Sequence, residues 1–317
     1  MNMRVWGYAL TLLIAVLATG WCHAQAKPVA KAKPATAKPV AAKPLSAAAS
    51  VSPPADRAVT AALAEALRLQ KTPGQEIAAR RGLNHVYFHP AATAEQKAQA
   101  RQALADLNKT TVFSARIFTG DPLAYAHTIR EGDTLTTLAR QSGCPVAIIR
   151  QINGMTSGGA LKTGTTVKLL RGPFHAQINK NACTLDVFAR TASGERTLVY
   201  HARVAVGRNN STPEGEFRVA GKVEKATWYP PPSLKAKHPN PLKWGEKGYP
   251  LGKDGIFMRL TGAEPATEKC KGYGIHSTSD QSSIGKARSS GCIRVGDKDI
   301  RQVYNLLADG AEVRIAP

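Results

Sequence analysis

Apolar positions change their period several times along this chain, and each change marks a different kind of element. From Asp56 onward, Val59, Leu63 and Leu67 recur about one turn apart, the spacing of an amphipathic helix. Pro73-Gly74 ends that stretch. Thr93 with Gln96 forms a capping-box pattern ahead of Ala100, Leu104 and Leu107 on one face. Between the two helices, His85-Val86-Tyr87-Phe88-His89 reads as a short strand or turn. Two histidines four apart suit a metal only on a helix, and Pro90 with the aromatic run argues against one there. Region 56–120 is therefore a small, mostly helical module.

The next segment, 124–171, reads as a βααβ unit of about 46 residues. Ala126 to Ile129 alternates like a strand, Glu131-Gly132-Asp133 turns the chain, and Asp133 can cap a helix bearing Leu135, Leu138 and Ala139. Gly143 and Pro145 break that helix, and a second carries Val146, Ile149 and Ile152 to Asn153-Gly154. Leu161 to Gly164 then turns into a strand from Val167 to Leu170.

From Cys183 the period becomes two. Leu185, Val187 and Ala189, then Leu198, Tyr200, Ala202, Val204 and Val206 alternate around a turn at Gly194. Short strands follow at Gly215–Val219, Ile256–Leu260 and Val313–Ile315, with a late helix around Ile300–Leu307. Residues 180–317 thus form a mainly-β domain. Trp228-Tyr229-Pro230-Pro231-Pro232 through Tyr249-Pro250 is too proline-rich for a regular element, and its aromatic residues argue that the loop is ordered.

Charge narrows the surroundings. The chain of 317 residues carries 43 basic and 22 acidic side chains, a net +21, which implies a polyanionic environment. The first fifty-five residues hold six of the basic groups and no acid, leaving +15 on the remainder. Arg4 followed by an apolar run from Ala9 to Ala18, too short to span a bilayer, with small residues at Cys22 and Ala24, reads as a secretory signal cut after Ala24. A lipid anchor at Cys22 and an uncleaved anchor helix are the alternatives. Residues 25–55 repeat Lys-Pro and Ala without an aromatic residue and read as an extended, disordered linker. An exported protein in the periplasm or cell wall disfavours nucleic acid as the polyanion.

The chemistry concentrates late in the chain. Tyr273-Gly274-Ile275-His276-Ser277 precedes Ser283-Ile284-Gly285 and then Ser289-Ser290-Gly291-Cys292-Ile293-Arg294. A cysteine after a Ser-Ser-Gly turn, with a histidine sixteen positions upstream, is a candidate nucleophile and base for acyl transfer; an inert buried cysteine is the alternative. No phosphate-binding loop, dinucleotide fingerprint or zinc motif occurs, so no cofactor and no metal are expected.

Two resemblances sharpen this reading. Tyr125 through Ile129, Glu131-Gly132-Asp133-Thr134-Leu135, Leu138-Ala139, Ile152-Asn153 and Leu161-Lys162-Thr163-Gly164 resemble the LysM module, which implies binding to N-acetylglucosamine-containing glycan strands of peptidoglycan. The segment around His276 and Cys292 resembles the YkuD-type, ErfK-like L,D-transpeptidase catalytic domain, whose signature is a His-Gly pair followed by Ser/Thr-His-Gly-Cys. Val206-Gly207, Thr212-Pro213-Glu214-Gly215-Glu216-Phe217, Pro250-Leu251-Gly252 and Ser283-Ile284-Gly285 support it. The chain departs from the signature at Ser277, where glycine is usual, and at Ser290, where histidine is usual.

The resemblance implies that Cys292 acylates at the third stem-peptide residue with loss of D-Ala. His276 either takes the thiol proton or holds a thiolate–imidazolium pair. It further implies an oxyanion hole from backbone N–H groups of Ser290, Gly291 and Cys292, an imidazole oriented by the Ser277 carbonyl, and substrate contacts from Arg294, Tyr273 and Trp228. An ion pair of Arg294 with Asp297 or Asp299, and a structural corner at Trp228, are the competing roles. The acceptor, a stem-peptide amine, an envelope lipoprotein, an outer-membrane protein or water (the L,D-carboxypeptidase or amidase outcome), is left open, as is a non-catalytic peptidoglycan-binding protein. Whether Cys183 and Cys270 form a disulfide within this domain is left open by the sequence.

Overall fold

The computed structural model describes residues 54–156, 161–191, 194–231 and 234–317. The expected leader, nearly all of the linker, and Pro232 lie outside them. No helix among the described residues is long and apolar enough to cross a membrane.

Three helices come first: α1 (Pro54–Gln70), α2 (Glu76–Phe88) and α3 (Ala94–Thr111). Val59, Leu63, Leu83, Val86, Leu104 and Leu107 are buried in one small core. Thr93 and Gln96 close the expected capping box at the start of α3. His85 to Phe88 are helical, which corrects the strand or turn expected there. Local β propensity yields because Leu83 and Val86 sit one turn apart in the helical core, while Tyr87 and Phe88 face a sheet. The Tyr87 hydroxyl donates to Asp186 Oδ2 at 2.5 Å, and the Phe88 ring meets Phe188 edge-on at 6.4 Å.

The βααβ unit follows: β1 (Ala124–Thr128), α4 (Leu135–Ser142), α5 (Val146–Ile152) and β2 (Thr166–Leu170). The two strands pair antiparallel from Ala124↔Leu170 to Thr128↔Thr166. Thr134, not Asp133, caps α4, forming a capping box with Thr137. Asp133 instead accepts the Arg130 N–H and faces His127 Nε2, each at 2.8 Å. This unit does not stand apart. Lys168 is fully buried and donates to the carbonyls of Thr111 (2.7 Å) and Ser114 (3.0 Å) at the end of α3; burial pushes its ammonium down to about 8. Its apolar residues share one core with the C-terminal domain.

That domain holds β3 (Phe174–Asn179), β4 (Thr184–Arg190), β5 (Arg196–Gly207), β6 (Gly215–Val223), β7 (Phe257–Gly262), β8 (Gly274–Ser277), β9 (Ala287–Ser289), β10 (Ile293–Val295), α6 (Ile300–Leu306) and β11 (Glu312–Ala316). Its sheet takes in β3, N-terminal to the start expected at residue 180. The strand order is β10-β8-β7-β6-β11-β3-β4-β5-β9, and β10 also pairs with β5. Eight strands therefore close into a ring, which removes their free edges. The ring and α6 bury Val187, Val204, Phe217, Ile275, Ile293, Val303 and Val313.

The helical module repairs a defect in this ring. The β4–β5 ladder shifts register between Val187↔Tyr200 and Phe188↔Leu198, leaving Val199 as the extra residue of a bulge. Asn84 Oδ1 accepts the Leu198 N–H at 2.7 Å, and Asn108 Nδ2 donates to the carbonyls of Leu198 (2.9 Å) and Val199 (3.1 Å). All three backbone groups thereby find partners in a buried place. Replacing Asn108 with Ala should lower unfolding free energy by about 1–3 kcal/mol, the cost of buried acceptors left unpaired, read as a lower urea midpoint at unchanged slope.

Candidate active site

The ring brings two short strands together in parallel. β10 lies beside β8 in the register Ile293↔Ile275 and Arg294↔His276, so Cys292, at the entrance to β10, falls beside Gly274. Because side chains alternate along strands, Cys292 and Arg294 share a side with His276. The sixteen-residue separation in sequence becomes adjacency.

The turn carrying Cys292 is pinned by two hydroxyls. Gly291 adopts φ +132°, and a Cβ there would stand 2.8 Å from Tyr273 Cε1 and 3.0 Å from the Ser211 carbonyl, so no other residue fits. The buried Thr212 donates to the Gly291 carbonyl at 2.7 Å and accepts the Gly207 N–H at 2.7 Å. Ser289 Oγ accepts the Gly291 N–H at 3.0 Å and donates to the Cys292 carbonyl at 2.6 Å. Gly291 therefore does not present the free N–H expected of it: a hydroxyl within the turn takes it. The N–H groups of Ser290 and Cys292 have no hydrogen-bond partner among the described residues. Thr212 and Ser289 were visible only as letters of motifs, and their roles emerge from contacts.

His276 is 9% exposed, with its ring stacked on Phe257 at 5.9 Å and 17°. Its Nδ1 lies 2.6 Å from the Ser277 carbonyl oxygen. A carbonyl only accepts, so Nδ1 carries the proton and Nε2 the lone pair. Burial pushes the imidazole down to about 4, with the Arg294 charge acting in the same direction. Ser277 lies in a strand and is absent from the positive-φ positions, so serine in place of glycine strains nothing. Its buried hydroxyl donates to the Leu251 carbonyl and accepts the Ile256 N–H at 2.9 Å, clamping the Pro250–Ile256 loop behind the histidine.

Cys292 is partly exposed. Its Sγ lies 3.7 Å from the Gly272 carbonyl and makes no hydrogen bond to His276. Burial pushes the thiol up, more than the Gly274 backbone and the Arg294 charge pull it down. Both shifts favour a neutral thiol beside a neutral imidazole over a preformed ion pair. Arg294 reaches Asp280 Oδ2 at 3.4 Å, not Asp297 or Asp299. Asp297 accepts from Gln281 at 3.1 Å and Asp299 from the Tyr200 hydroxyl at 2.9 Å.

Tyr273 packs against the Gly291 turn. Trp228 pairs with Leu242 through backbone bonds of 2.8 and 2.9 Å, and shares a small cluster with Tyr249, Leu251 and Phe257. Its ring meets His238 edge-on at 5.5 Å. The surrounding loop is ordered by the Tyr249 hydroxyl on the Ala226 carbonyl and by Trp244 Nε1 on the Lys253 carbonyl at 2.9 Å. A cleft of about 380 Å³ opens beside the end of β8, lined by Trp244, Tyr249, Lys253, Thr278, Ser279 and Asp297. Cys183 and Cys270 are thiols, with no disulfide between them; Cys183 Sγ rests on the Lys180 carbonyl at 3.4 Å.

The C-terminal domain is thus a closed mixed sheet that presents a cysteine and a buried histidine on adjacent parallel strands, and a βααβ module precedes it. Residues 173–315 match the family model of the YkuD L,D-transpeptidase catalytic domain, and residues 127–169 match that of the LysM domain. The chain thus carries a region similar to the YkuD L,D-transpeptidase catalytic domain behind a region similar to the LysM domain. The proteins of Bacillus licheniformis and Bacillus subtilis described as "Putative L,D-transpeptidase YkuD" are each 27% identical to it. The first alignment covers 60% of this chain and 97% of the relative, the second 59% and 96%. An L,D-transpeptidase structure from Mycobacterium smegmatis aligns at 18% identity and TM-score 0.34, over 49% of this chain and 64% of that one.

Two outcomes follow from the geometry. Because the folded His276 titrates near 4 and an unfolded histidine near 6.5, the unfolded chain binds the extra proton first. Stability is full above about pH 6.5 and falls by about 3 kcal/mol as pH drops through 4; a His276→Gln variant should flatten that part of the profile in denaturant titrations at stepped pH. Gly291→Ala should slow alkylation of Cys292 by iodoacetamide and lower the melting temperature, because both the backbone and the Tyr273 ring must move.

Proposed function

We propose that this protein remakes peptide bonds in peptidoglycan. The observation that carries the reading is the pairing of a cysteine turn with a histidine whose Nδ1 is held by the Ser277 carbonyl at 2.6 Å, leaving Nε2 as the basic nitrogen. As Cys292 Sγ attacks the carbonyl of the third stem-peptide residue, its proton passes to His276 Nε2. The C–N bond to the terminal D-Ala then breaks, and the departing amine takes that proton. A thioester remains. An acceptor amine attacks it and gives a proton to His276, and the sulfur leaves and recovers the proton, restoring both groups.

A neutral resting pair suits this sequence of transfers. The thiol stays protonated until substrate closes the gap to the imidazole, so general-base transfer replaces the standing thiolate. The N–H groups of Ser290 and Cys292 serve the oxyanion, where one donor is typically worth ~10²–10³ in rate. Arg294, tethered to Asp280 but bearing on both reacting groups, holds a substrate carbonyl or carboxylate. The LysM unit holds a glycan strand, and because it shares a core with the catalytic domain, that hold is rigid. Both modules fit an exported, wall-associated protein.

The test is mass spectrometry of muropeptides after incubating the chain with disaccharide-tetrapeptide, beside Cys292→Ala. A dimer lighter than two tetrapeptides by one D-Ala, absent with the variant, is the expected result. Tripeptide alone would assign water as the acceptor, and an unchanged tetrapeptide with unmodified Cys292 would overturn the enzyme reading.

A further inference from the structure

Away from His276 and Cys292, a second cavity of about 470 Å³ is lined by residues of β3, β4, β5, β6 and β11. That volume lies within the range of small-ligand sites. Two arginines dominate one wall. Arg190 and Arg196 are direct cross-strand partners in the β4–β5 ladder, an arrangement in which like charges destabilise the sheet.

Neither guanidinium has a carboxylate partner among the described residues. Asp186 on β4 is taken by the Tyr87 hydroxyl and by His201 Nδ1 at 2.6 Å. The acids of the cavity are engaged as well: Glu216 pairs with Arg314 at 3.2 Å and Glu312 with Arg218 at 3.3 Å. Burial, with Arg190 and Arg314 nearby, pushes the Arg196 guanidinium down. The fold thus maintains two adjacent cations with no ion-pair partner among the described residues, Asp186 acting on Arg196 only through its field.

They are also held in place. Arg196 lies over the Phe88 ring at 4.2 Å and donates to Gln177 Oε1 at 2.9 Å, and Arg190 lies over Phe188 at 5.6 Å. A stacked, oriented guanidinium loses little freedom when it forms a bidentate bond. Phe88 comes from the helical module, so α2 completes this wall. Two unpaired cations call for an oxyanion. The acids opposite disfavour a polyanion and favour a single carboxylate, and the buried Phe188 ring backs both arginines at the cavity wall.

We infer that the cavity bounded by Arg190, Arg196, Gln177 and Phe188 binds the free carboxylate of a short peptide, at a site separate from the acyl-transfer centre and independent of that reading. Calorimetric titration of the full chain with a tripeptide free acid, its C-terminal amide and inorganic phosphate tests it. The acid should bind at least tenfold more tightly than the amide, and Arg190→Gln and Arg196→Gln should each weaken it tenfold or more, while Cys292→Ala changes nothing. Arg196→Lys keeps the charge and loses the fork, so it should give an intermediate loss. Unchanged iodoacetamide labelling of Cys292 in each arginine variant shows that the fold is intact. Equal binding of acid and amide, indifference to both arginine substitutions, or binding of phosphate without the acid would each overturn the assignment.

Discussion

Everything at the Cys292–His276 site depends on one three-residue strand. β10, Ile293–Val295, pairs in parallel with β8 on one side and antiparallel with β5 on the other, so it closes the ring and sets the register between the cysteine turn and His276. Its buried Ile293 and Val295 lock that register, because a slip of one residue would turn both into the opposite face. The same slip would send Cys292 and Arg294 away from His276. Fold closure and the alignment of Cys292 with His276 are therefore one constraint.

Around this strand the site is built from hydroxyls rather than charges. Thr212, Ser277 and Ser289 each bridge two backbone groups, fixing the turn before Cys292 and the loop behind His276. Neutral bridges of this kind position backbone dipoles without adding a charge that would bias the thiol or the imidazole. Arg294 is the exception, and its charge favours thiolate while opposing imidazolium.

The long periodic elements were legible from the sequence because their patterns are local. Val59, Leu63 and Leu67 on α1, the Thr93–Gln96 box, the βααβ order and the His276–Cys292 pair all rest on short spacings or on motif letters. What escaped was decided by tertiary contact. β8 and β10, at four and three residues, are too short for a period-two signal. The Thr212–Gly291 bond joins residues 79 apart. His85–Phe88 has strand-like composition, yet its helix is selected by Leu83 and Val86 on one side and Asp186 and Phe188 on the other. Cap choice between Asp133 and Thr134 turned on one residue, and Asp133 was drawn away by His127. The role of the 56–120 region could not be read because its partners, a β-bulge and an arginine, lie about ninety residues or more downstream.

The state of the thiols has a consequence for how the chain is labelled. Cys144, Cys183 and Cys270 are buried among apolar neighbours, and no disulfide joins any two of them. Among the described cysteines, Cys292 alone is not buried, so electrophiles that reach the native fold meet its thiol first. The molecule thus carries its own chemical handle at the turn beside His276, where a single alkylation reports on the packing of Gly291 and Tyr273.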